Sequence, residues 1–165
     1  MCNIYNFNYK FNENNLYKFI KIYIYKFLIK NEFNITILDI RRKKNKSFFI
    51  SYRHKLSKIF SFLVNTEFTE TIEKIDNKSY KINTIFENNF FNLNCITNVY
   101  LEGENIFLDS EFKIESFAGV LNNNYYNYIK NNFFQQRKTE EILLESNCDT
   151  NIEYLINTNF KKINL

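Results

Sequence analysis

Apolar side chains recur at helical spacing in two segments of this chain. In the first segment they occupy Leu16, Phe19, Ile20, Tyr23, Phe27 and Leu28. Residues three or four apart share one face of a helix, so the pattern predicts an amphipathic helix over residues 16–28, capped by Asn12 or Asn14. The alternating run at residues 20–24 also fits a strand, but the length of the whole segment favours the helix.

The most strongly patterned stretch is residues 48–75. Residues 48–50 predict a short strand, and residues 51–55 follow as a basic turn. After the turn, apolar residues again fall on one helical face: Leu56, Ile59, Phe60, Leu63 and Val64. Residues 69–75 then return to a strand pattern. A basic turn at the entrance of a helix is a favourable place for a phosphate group.

Alternation of apolar and polar residues predicts further strands towards the middle of the chain. Residues 69–86 fit a hairpin around a turn at residues 76–79. Residues 93–101 and 106–108 fit two strands joined by a turn that contains Gly103. This part of the sequence therefore predicts antiparallel β-structure.

The remaining segments carry weaker patterns. Residues 34–40 fit a strand or a short helix, and residues 110–111 resemble a helix start. The Asn- and Tyr-rich residues 122–132 are interpreted as strand and loop, and residues 152–156 as a last strand. A charged helix is predicted over residues 135–145, with three apolar side chains facing inward: Ile142, Leu143 and Leu144.

These elements predict an α+β protein made of two small α/β subdomains. The N-terminal subdomain, residues 13–88, has the order helix, strand, helix, hairpin, whereas the C-terminal subdomain, residues 89–157, is mostly β with short helices. Residues 1–12 are interpreted as an extension and residues 158–165 as a tail. A chain of 165 residues is long enough for one domain or two small ones.

The composition is unusual because it is poor in the residues that normally form turns and rich in aromatic residues. The chain has no proline, no tryptophan and two glycines, against 19 phenylalanines and 12 tyrosines. Phenylalanine, tyrosine, asparagine, isoleucine and lysine use AT-rich codons, so the composition indicates the AT-rich genome of an organelle or a parasite. Because asparagine is the next best residue at positive φ, we expect it in turns that usually contain glycine.

Positive charge is concentrated in one part of the chain. The whole sequence has 22 lysines and arginines against 18 acids, but residues 39–58 contain eight basic residues and one acid. Such a run is most often a solvated face, yet its concentration favours contact with RNA phosphates. The candidate RNA-binding residues here are Arg41, Arg42, Lys43, Lys44, Lys46, Arg53, His54, Lys55 and Lys58.

Sequence motifs for catalysis and metal binding are missing. The three cysteines are far apart and the chain has one histidine, so zinc-binding spacing is absent. The acid pairs at residues 102 and 104 and at residues 140 and 141 are interpreted as surface charge. We therefore expect no cofactor and no enzymatic activity.

Neither a membrane span nor a targeting leader is expected. The apolar run at residues 16–29 is interrupted by Lys18, Lys21 and Lys26 and is too short to cross a bilayer. No Arg- and Ser-rich leader begins the chain.

The order of elements resembles ribosomal protein eight of the small subunit, the S-eight family. That family has a Ser-Lys-Leu signature where a basic strand and turn lead into a helix, and Lys55 and Leu56 match it here. In the second half, Ala118 and Gly119 resemble the family's Ala-Gly approach, and residues 151–156 resemble its last strand. The family's glycines and the Ser-Thr-Ser triplet of its C-terminal loop are replaced here.

The resemblance implies binding to a central-domain stem of small-subunit rRNA, without catalysis. The partners would be this rRNA and neighbouring ribosomal proteins, with no small-molecule substrate. The protein would lie in the mitochondrial matrix, within the ribosome, with a plastid ribosome as the other location. The C-terminal loop and the helix after it would add five RNA-binding residues: Asn127, Tyr128, Lys130, Asn131 and Arg137.

Two other functions stay open from the sequence. The chain fits a non-catalytic accessory subunit of an organellar membrane complex that contacts only protein. A small enzyme with an unrecognised motif is the third interpretation.

Overall fold

A computed structural model describes most of the chain, namely residues 2–30, 35–54, 66–87, 91–116, 123–146, 149–159 and 161–163. The elements in chain order are β1 (Cys2–Phe11), α1 (Leu16–Lys30), β2 (Ile35–Lys43), β3 (Phe48–His54), β4 (Thr66–Asp76), β5 (Ser79–Glu87), β6 (Phe91–Glu102), β7 (Asn105–Ser116), α2 (Asn123–Glu145), α3 (Asp149–Asn159) and β8 (Lys161–Ile163).

One continuous sheet runs through the described part of the chain, in the order β1-β7-β6-β5-β4-β3-β2-β8. Strands β2 to β7 follow one another as antiparallel neighbours, and β1 pairs antiparallel with β7. The short β8 pairs parallel with β2 at the opposite edge. Two small subdomains were therefore the wrong prediction, because the hydrogen-bonded ladder is unbroken between them.

The core lies between one face of this sheet and the helices. Helix α1 buries Phe19, Ile20 and Ile24 completely. Phe11 at the end of β1 packs on Phe19 with 4.9 Å between ring centroids. The predicted helix over residues 16–28 is thus confirmed. Its cap is Asn15, whose Oδ1 accepts a hydrogen bond from the backbone N–H of Lys18 at 3.0 Å.

The predicted β-structure in the middle of the chain is confirmed and is more extensive than expected. The hairpin at residues 69–86 is formed by β4 and β5, and Gly103 lies in the turn between β6 and β7. Residues 110–111 are not a helix start, because they lie inside β7. Ser110 is buried there and Glu111 is exposed, which is the alternation of a strand.

Helix α2 occupies the segment interpreted as strand and loop. Among its residues of described burial, the buried ones are Ile129, Phe133, Arg137 and Glu140, spaced at four, four and three positions. That is one helical face, but two of its members are charged, so a search for apolar periodicity missed it. The charged helix predicted at residues 135–145 is the second half of α2. Ile142 was wrongly placed inward, since it is 68% exposed.

The predicted last strand is also helical. Residues 152–156 belong to α3, in which Ile152 and Ile156 are buried and Tyr154 is 68% exposed. Buried residues four apart with an exposed residue between them fit both a helix face and an alternating strand. The pattern was therefore ambiguous over so short a segment.

The basic segment has a different structure from the one predicted. Residues 41–43 belong to β2 and residues 51–54 to β3, so the basic loop begins later and the basic turn at residues 51–55 is instead strand as far as residue 54. The predicted helical face from Leu56 to Val64 lies outside the described residues.

Positive φ angles occur at two described residues, and neither is asparagine. Lys46 has φ of 67° and Gly103 has φ of 62°. The expectation that asparagine replaces glycine at such positions is therefore wrong for the described part of the chain.

A core substitution tests this packing. We expect Phe19→Ala to lower the free energy of unfolding by about 3–5 kcal/mol, because it removes a fully buried ring. The matched control Ile142→Ala, on the exposed face of α2, should change it by less than about 0.5 kcal/mol. Urea unfolding followed by circular dichroism measures both, and equal losses would contradict the packing described.

Candidate functional site: a cavity between the sheet and helix α2

A cavity of about 150 Å³ lies between the helix-covered face of the sheet and α2. Strands β3 to β7 supply its floor, and α2 covers it with side chains between Tyr128 and Arg137. Tyr23 of α1 also contributes to the lining. Most of the lining is apolar or aromatic with a few polar groups, which is the usual make-up of a small-molecule site.

A row of short polar side chains crosses the cavity floor. Glu70 of β4 is the cross-strand partner of Thr84 in β5, and Thr84 is the partner of Cys95 in β6. Two residues further along β6, Thr97 pairs with Ser110 of β7. Cross-strand partners lie about 5 Å apart, so these five residues form a polar row over four strands. Because most of them are small, they leave space beneath α2.

Glu70 is the acidic member of the polar row. Its side chain is buried, and its carboxylate accepts hydrogen bonds from the Tyr23 hydroxyl at 2.9 Å and from Thr84 Oγ1 at 3.0 Å. Burial raises the pKa of the Glu70 carboxyl to about 7, although both hydrogen bonds and the nearby Lys26 and Arg137 act in the opposite direction. Glu70 is therefore only partly ionised at neutral pH.

The other end of the polar row is a pair of hydroxyls. Thr97 Oγ1 and Ser110 Oγ are hydrogen-bonded at 2.7 Å, and Cys95 Sγ lies 3.7 Å from Thr97 Oγ1. Burial raises the pKa of the Cys95 thiol to about 12. The thiol is therefore protonated at neutral pH and is not an activated nucleophile.

Aromatic rings surround the polar row. Tyr52 stacks on Phe68 with centroids 5.3 Å apart, and Phe68 stacks on Phe86 at 4.9 Å. On the other side of the polar row, Phe112 meets Phe133 of α2 edge to face at 6.3 Å. These rings give the cavity two aromatic walls that suit a flat apolar ligand.

A cluster of three buried charges holds α2 against α1. Lys26 of α1 and Arg137 of α2 both form ion pairs with Glu140 of α2, and Arg137 Nη2 donates a hydrogen bond to Glu140 Oε2 at 3.0 Å. Arg137 also lies over the Phe133 ring, 4.9 Å from its centroid. The interpretation of residues 140 and 141 as a pair of surface acids is wrong for Glu140, which is fully buried.

Other clefts on the described surface are less suited to a ligand. One of about 490 Å³ lies beside the start of α1 and is lined by polar residues that include the exposed Lys46 and Asn77. Another of about 320 Å³ lies beside Phe49 and Arg41. Neither contains a buried charged side chain, whereas the cavity beneath α2 contains Glu70 and Arg137.

The fold does not bring the described members of the predicted RNA-binding residues of the basic segment together in one surface. Arg41 forms an exposed ion pair with Asp39 at 2.8 Å, and Arg42 donates hydrogen bonds to Tyr17 and Asn157. Lys43, at the end of β2, and Lys44 and Lys46, in the turn that follows, are exposed.

Two further members of that segment, Arg53 and His54, lie at the far end of β3. Arg53 is 3.8 Å from Glu67 in an exposed ion pair. His54 is the last residue of β3, and Lys55 and Lys58 lie outside the described residues. The members of the predicted set that the structure describes are thus divided between the two ends of β3.

The second predicted group is on α2. Asn127, Lys130 and Asn131 are exposed, whereas Tyr128 and Arg137 line the cavity. Tyr128 and Arg137, which were predicted to bind RNA, therefore belong to the candidate site because they line the cavity.

Sequence reasoning missed Glu70, the most informative residue of the cavity. A signal was present, because Phe68, Glu70 and Ile72 alternate on one face of β4 and all three are buried. An acid at an inward position of an otherwise apolar strand face indicates a buried functional or paired group.

The described residues offer neither a metal site nor a helix that could span a membrane. They contain no group of three or more potential metal-ligating side chains. None of the described helices combines the length and hydrophobicity needed to span a membrane.

Comparison with solved structures identifies the architecture. The START superfamily protein from Mycobacterium smegmatis superposes with a TM-score of 0.55 at 11% identity, over 86% of this chain and 97% of that one. Ara h 8.0201 gives a TM-score of 0.57 at 9% identity, over 89% of this chain and all of that one. The chain shares the fold of these two structures, which is a helix-grip fold.

Norcoclaurine synthase from Thalictrum flavum is a further helix-grip structure, with a TM-score of 0.51 at 9% identity and 88% coverage of both chains. At these identities the likeness concerns the fold alone. No protein-family model and no curated protein sequence matched the chain.

The helix-grip fold overturns the resemblance to the S-eight family. A ribosomal role, with rRNA and ribosomal proteins as partners, was therefore the wrong prediction, as was the accessory subunit of a membrane complex. The two matched residues, Lys55 and Leu56, and an order of short elements were too little to distinguish the folds.

The buried charge cluster makes a stability prediction. We expect Glu140→Gln to lower the free energy of unfolding by about 3–5 kcal/mol, because it leaves Lys26 and Arg137 buried without their shared counter-ion. Glu145→Gln, exposed on the same helix, is the matched control and should have little effect. Chemical denaturation at neutral pH measures both variants. An almost unchanged free energy of unfolding for Glu140→Gln would show that solvent reaches the two cations.

Glu70 makes a separate prediction about pH. Its pKa rises from 4.5 to about 7 on folding, so the folded protein binds the proton more tightly than the unfolded chain. Stability relative to Glu70→Gln should therefore be highest below about pH 4.5 and fall by about 3 kcal/mol as pH rises to about 7. Unfolding free energies of both proteins across this range measure the difference. Glu73→Gln, on the opposite face of β4, should not reproduce it.

Proposed function

We propose that this protein binds a small, largely aromatic molecule in the helix-grip cavity without transforming it. The observation that carries the proposal is the cavity itself, of about 150 Å³, with aromatic walls and a polar row on its floor. An engineered apolar cavity of that size in another protein holds benzene. The expected occupant therefore has one ring with a short substituent.

The chemistry of the lining supports binding rather than catalysis. Burial raises the pKa of Tyr23 and of Tyr52 well above 10, and that of Cys95 to about 12, so these groups stay protonated near neutral pH. Lys26 and Arg137 are both paired with Glu140. Glu70 can exchange a proton at neutral pH, but one titrating carboxyl without an activated nucleophile fits recognition better than a reaction.

A helix-grip neighbour supports the size of the ligand. Norcoclaurine synthase from Thalictrum flavum has been solved in complex with dopamine and hydroxybenzaldehyde, and that structure superposes with a TM-score of 0.50 at 9% identity over 87% of both chains. Both of those ligands have a single aromatic ring. This support concerns ligand size, and the low identity transfers no reaction.

The organellar location suggested by the AT-rich composition stays a prediction. It has lost the support of the ribosomal resemblance, and the codon argument that remains fits the genome of an organelle or of a parasite.

A pair of substitutions on neighbouring residues of β6 tests the cavity. Cys95 faces the cavity, and Asn94 is exposed on the opposite face of the sheet. We expect toluene and benzamide to bind the wild-type protein. Cys95→Phe should lower both affinities by at least tenfold, because the phenylalanine ring fills the space. Asn94→Phe should leave both affinities unchanged. Chemical-shift titrations in two-dimensional NMR measure binding and show whether each variant is folded.

Failure of toluene and benzamide to bind the folded wild-type protein would refute the proposed function. Equal binding to wild type and to folded Cys95→Phe would place the ligand elsewhere.

A further inference from the structure

The described core contains four buried charged side chains, and their charges do not balance locally. Lys26, Glu70, Arg137 and Glu140 are each at most 4% exposed. Glu140 is the counter-ion of both cations, so this cluster of three charges carries one net positive charge. Glu70 is the only other buried acid among the described residues, and its hydrogen bonds come from hydroxyls.

The proton on Glu70 therefore decides the total charge around the cavity. When Glu70 is ionised the four groups sum to zero, and when it is protonated they sum to plus one. Excess buried charge is costly, because charges in the interior are poorly solvated. An anion that entered the cavity beside Arg137 would restore neutrality as Glu70 becomes protonated.

Arg137 is placed to receive such an anion. It lines the cavity, and its ion pair and hydrogen bond with Glu140 are made by Nε and Nη2. A guanidinium group has five N–H donors and favours carboxylates. The Phe133 ring beneath Arg137 adds an aromatic surface next to the charged group.

We propose that the ligand is a small aromatic carboxylic acid, bound through its carboxylate by Arg137, with uptake of one proton by Glu70. This inference rests on the proposed function and names the chemical class of the ligand. The ring lies between the aromatic walls of the cavity. No covalent bond is made or broken, and the proton comes from solvent.

A cationic ligand is disfavoured by the same charges. A protonated amine beside Glu70 would leave the buried groups and the ligand with one net positive charge, although Glu70 would be ionised. A neutral ligand leaves the balance unchanged and requires no proton.

Among the titratable groups near Glu70, Glu70 itself is the one whose protonation changes near neutral pH. The neighbouring groups are Tyr23 and Lys26 from α1, Tyr52 from β3, Cys95 from β6 and Arg137 from α2, and Glu140 of α2 also acts on Tyr23. Burial holds the pKa of both tyrosines well above 10 and that of Cys95 at about 12, so these three keep their protons. The two cations and Glu140 are paired with one another.

The test compares three probes of nearly equal shape: benzoate, benzamide and benzylamine. Isothermal titration calorimetry on the full chain gives their affinities at pH 6 and pH 8. With a Glu70 pKa of about 7, benzoate should bind about tenfold more tightly at pH 6 than at pH 8. Benzamide should show no such dependence, and benzylamine should bind more weakly than benzamide at both pH values.

Proton uptake gives an independent measurement. At pH 7 benzoate binding should take up about half a proton, measured from the heats in two buffers of different ionisation enthalpy. Glu70→Gln should abolish the uptake and keep the pH 6 affinity for benzoate at pH 8. Glu73→Gln, exposed on the other face of β4, is the matched control and should behave as wild type.

The position of the carboxylate is tested at Arg137. Arg137→Lys keeps the charge and removes the second N–H donor group. The affinity for benzoate should therefore fall at least threefold, while the affinity for toluene should not change. If this variant does not fold, the Arg137 side-chain N–H resonances of the wild-type protein should shift with benzoate and not with toluene.

Failures of the two proposals are distinguishable. If toluene and benzamide bind but benzoate is no tighter at pH 6 than at pH 8, or takes up no proton, the carboxylic-acid ligand is refuted and the aromatic site stands. If none of the probes binds the folded protein, the site itself is refuted.

Discussion

The Glu140 carboxylate, buried between two cations, is the interaction on which the rest of the site depends. It joins Lys26 of α1 to Arg137 of α2, and so fixes how α2 lies across the sheet. An ion pair in the interior stabilises little in net terms, because desolvation offsets most of the attraction, but its geometry is specific. Here that specificity orients a long helix whose other buried residues, Ile129 and Phe133, are apolar and would tolerate sliding. The excess positive charge of the cluster also reaches the cavity through Arg137.

The cavity exists because side-chain size changes across the floor of the sheet. Thr84, Cys95 and Ser110 are small, while the positions around them are phenylalanine and tyrosine. Protein interiors are normally filled to the density of organic crystals, so a gap beneath α2 that is bordered by large rings is a property of these small residues. In the helix-grip architecture, the sheet and the long helix form the boundary, and the local sequence decides how much space remains between them.

The sequence was informative wherever local patterns determine structure. The β4–β5 hairpin and α1 were predicted because strict alternation and helical spacing are strong signals, and because residues 76–79 form a recognisable turn. Helix α2 was missed because its buried face combines Ile129 and Phe133 with two charges, Arg137 and Glu140. The partner of Glu140 on α1, Lys26, is more than a hundred residues away in sequence. The basic segment led to a wrong prediction of RNA binding for a related reason. Its basic residues are close in sequence, but β3 separates them in space. Glu70 shows the general difficulty, because its meaning depends on α1 and β5, which supply its hydrogen-bond donors.

The β2–β3 turn shows how a chain nearly without glycine forms a tight connection. Lys46 adopts a left-handed φ of 67°, a conformation that glycine takes without steric penalty. Contacts from elsewhere hold it there: the Tyr80 hydroxyl of β5 donates to the Lys46 carbonyl at 3.1 Å, and Ser47 Oγ accepts from the Lys74 N–H of β4 at 2.9 Å. The turn also has hydrogen bonds of its own, from the Lys46 N–H to the Lys43 carbonyl and from the Ser47 N–H to Asn45 Oδ1, so the assembled sheet adds to a local geometry. Because a lysine rather than a glycine takes the left-handed position, the Tyr80 side chain and the Lys74 backbone on the neighbouring strands carry a constraint that a glycine there would not require.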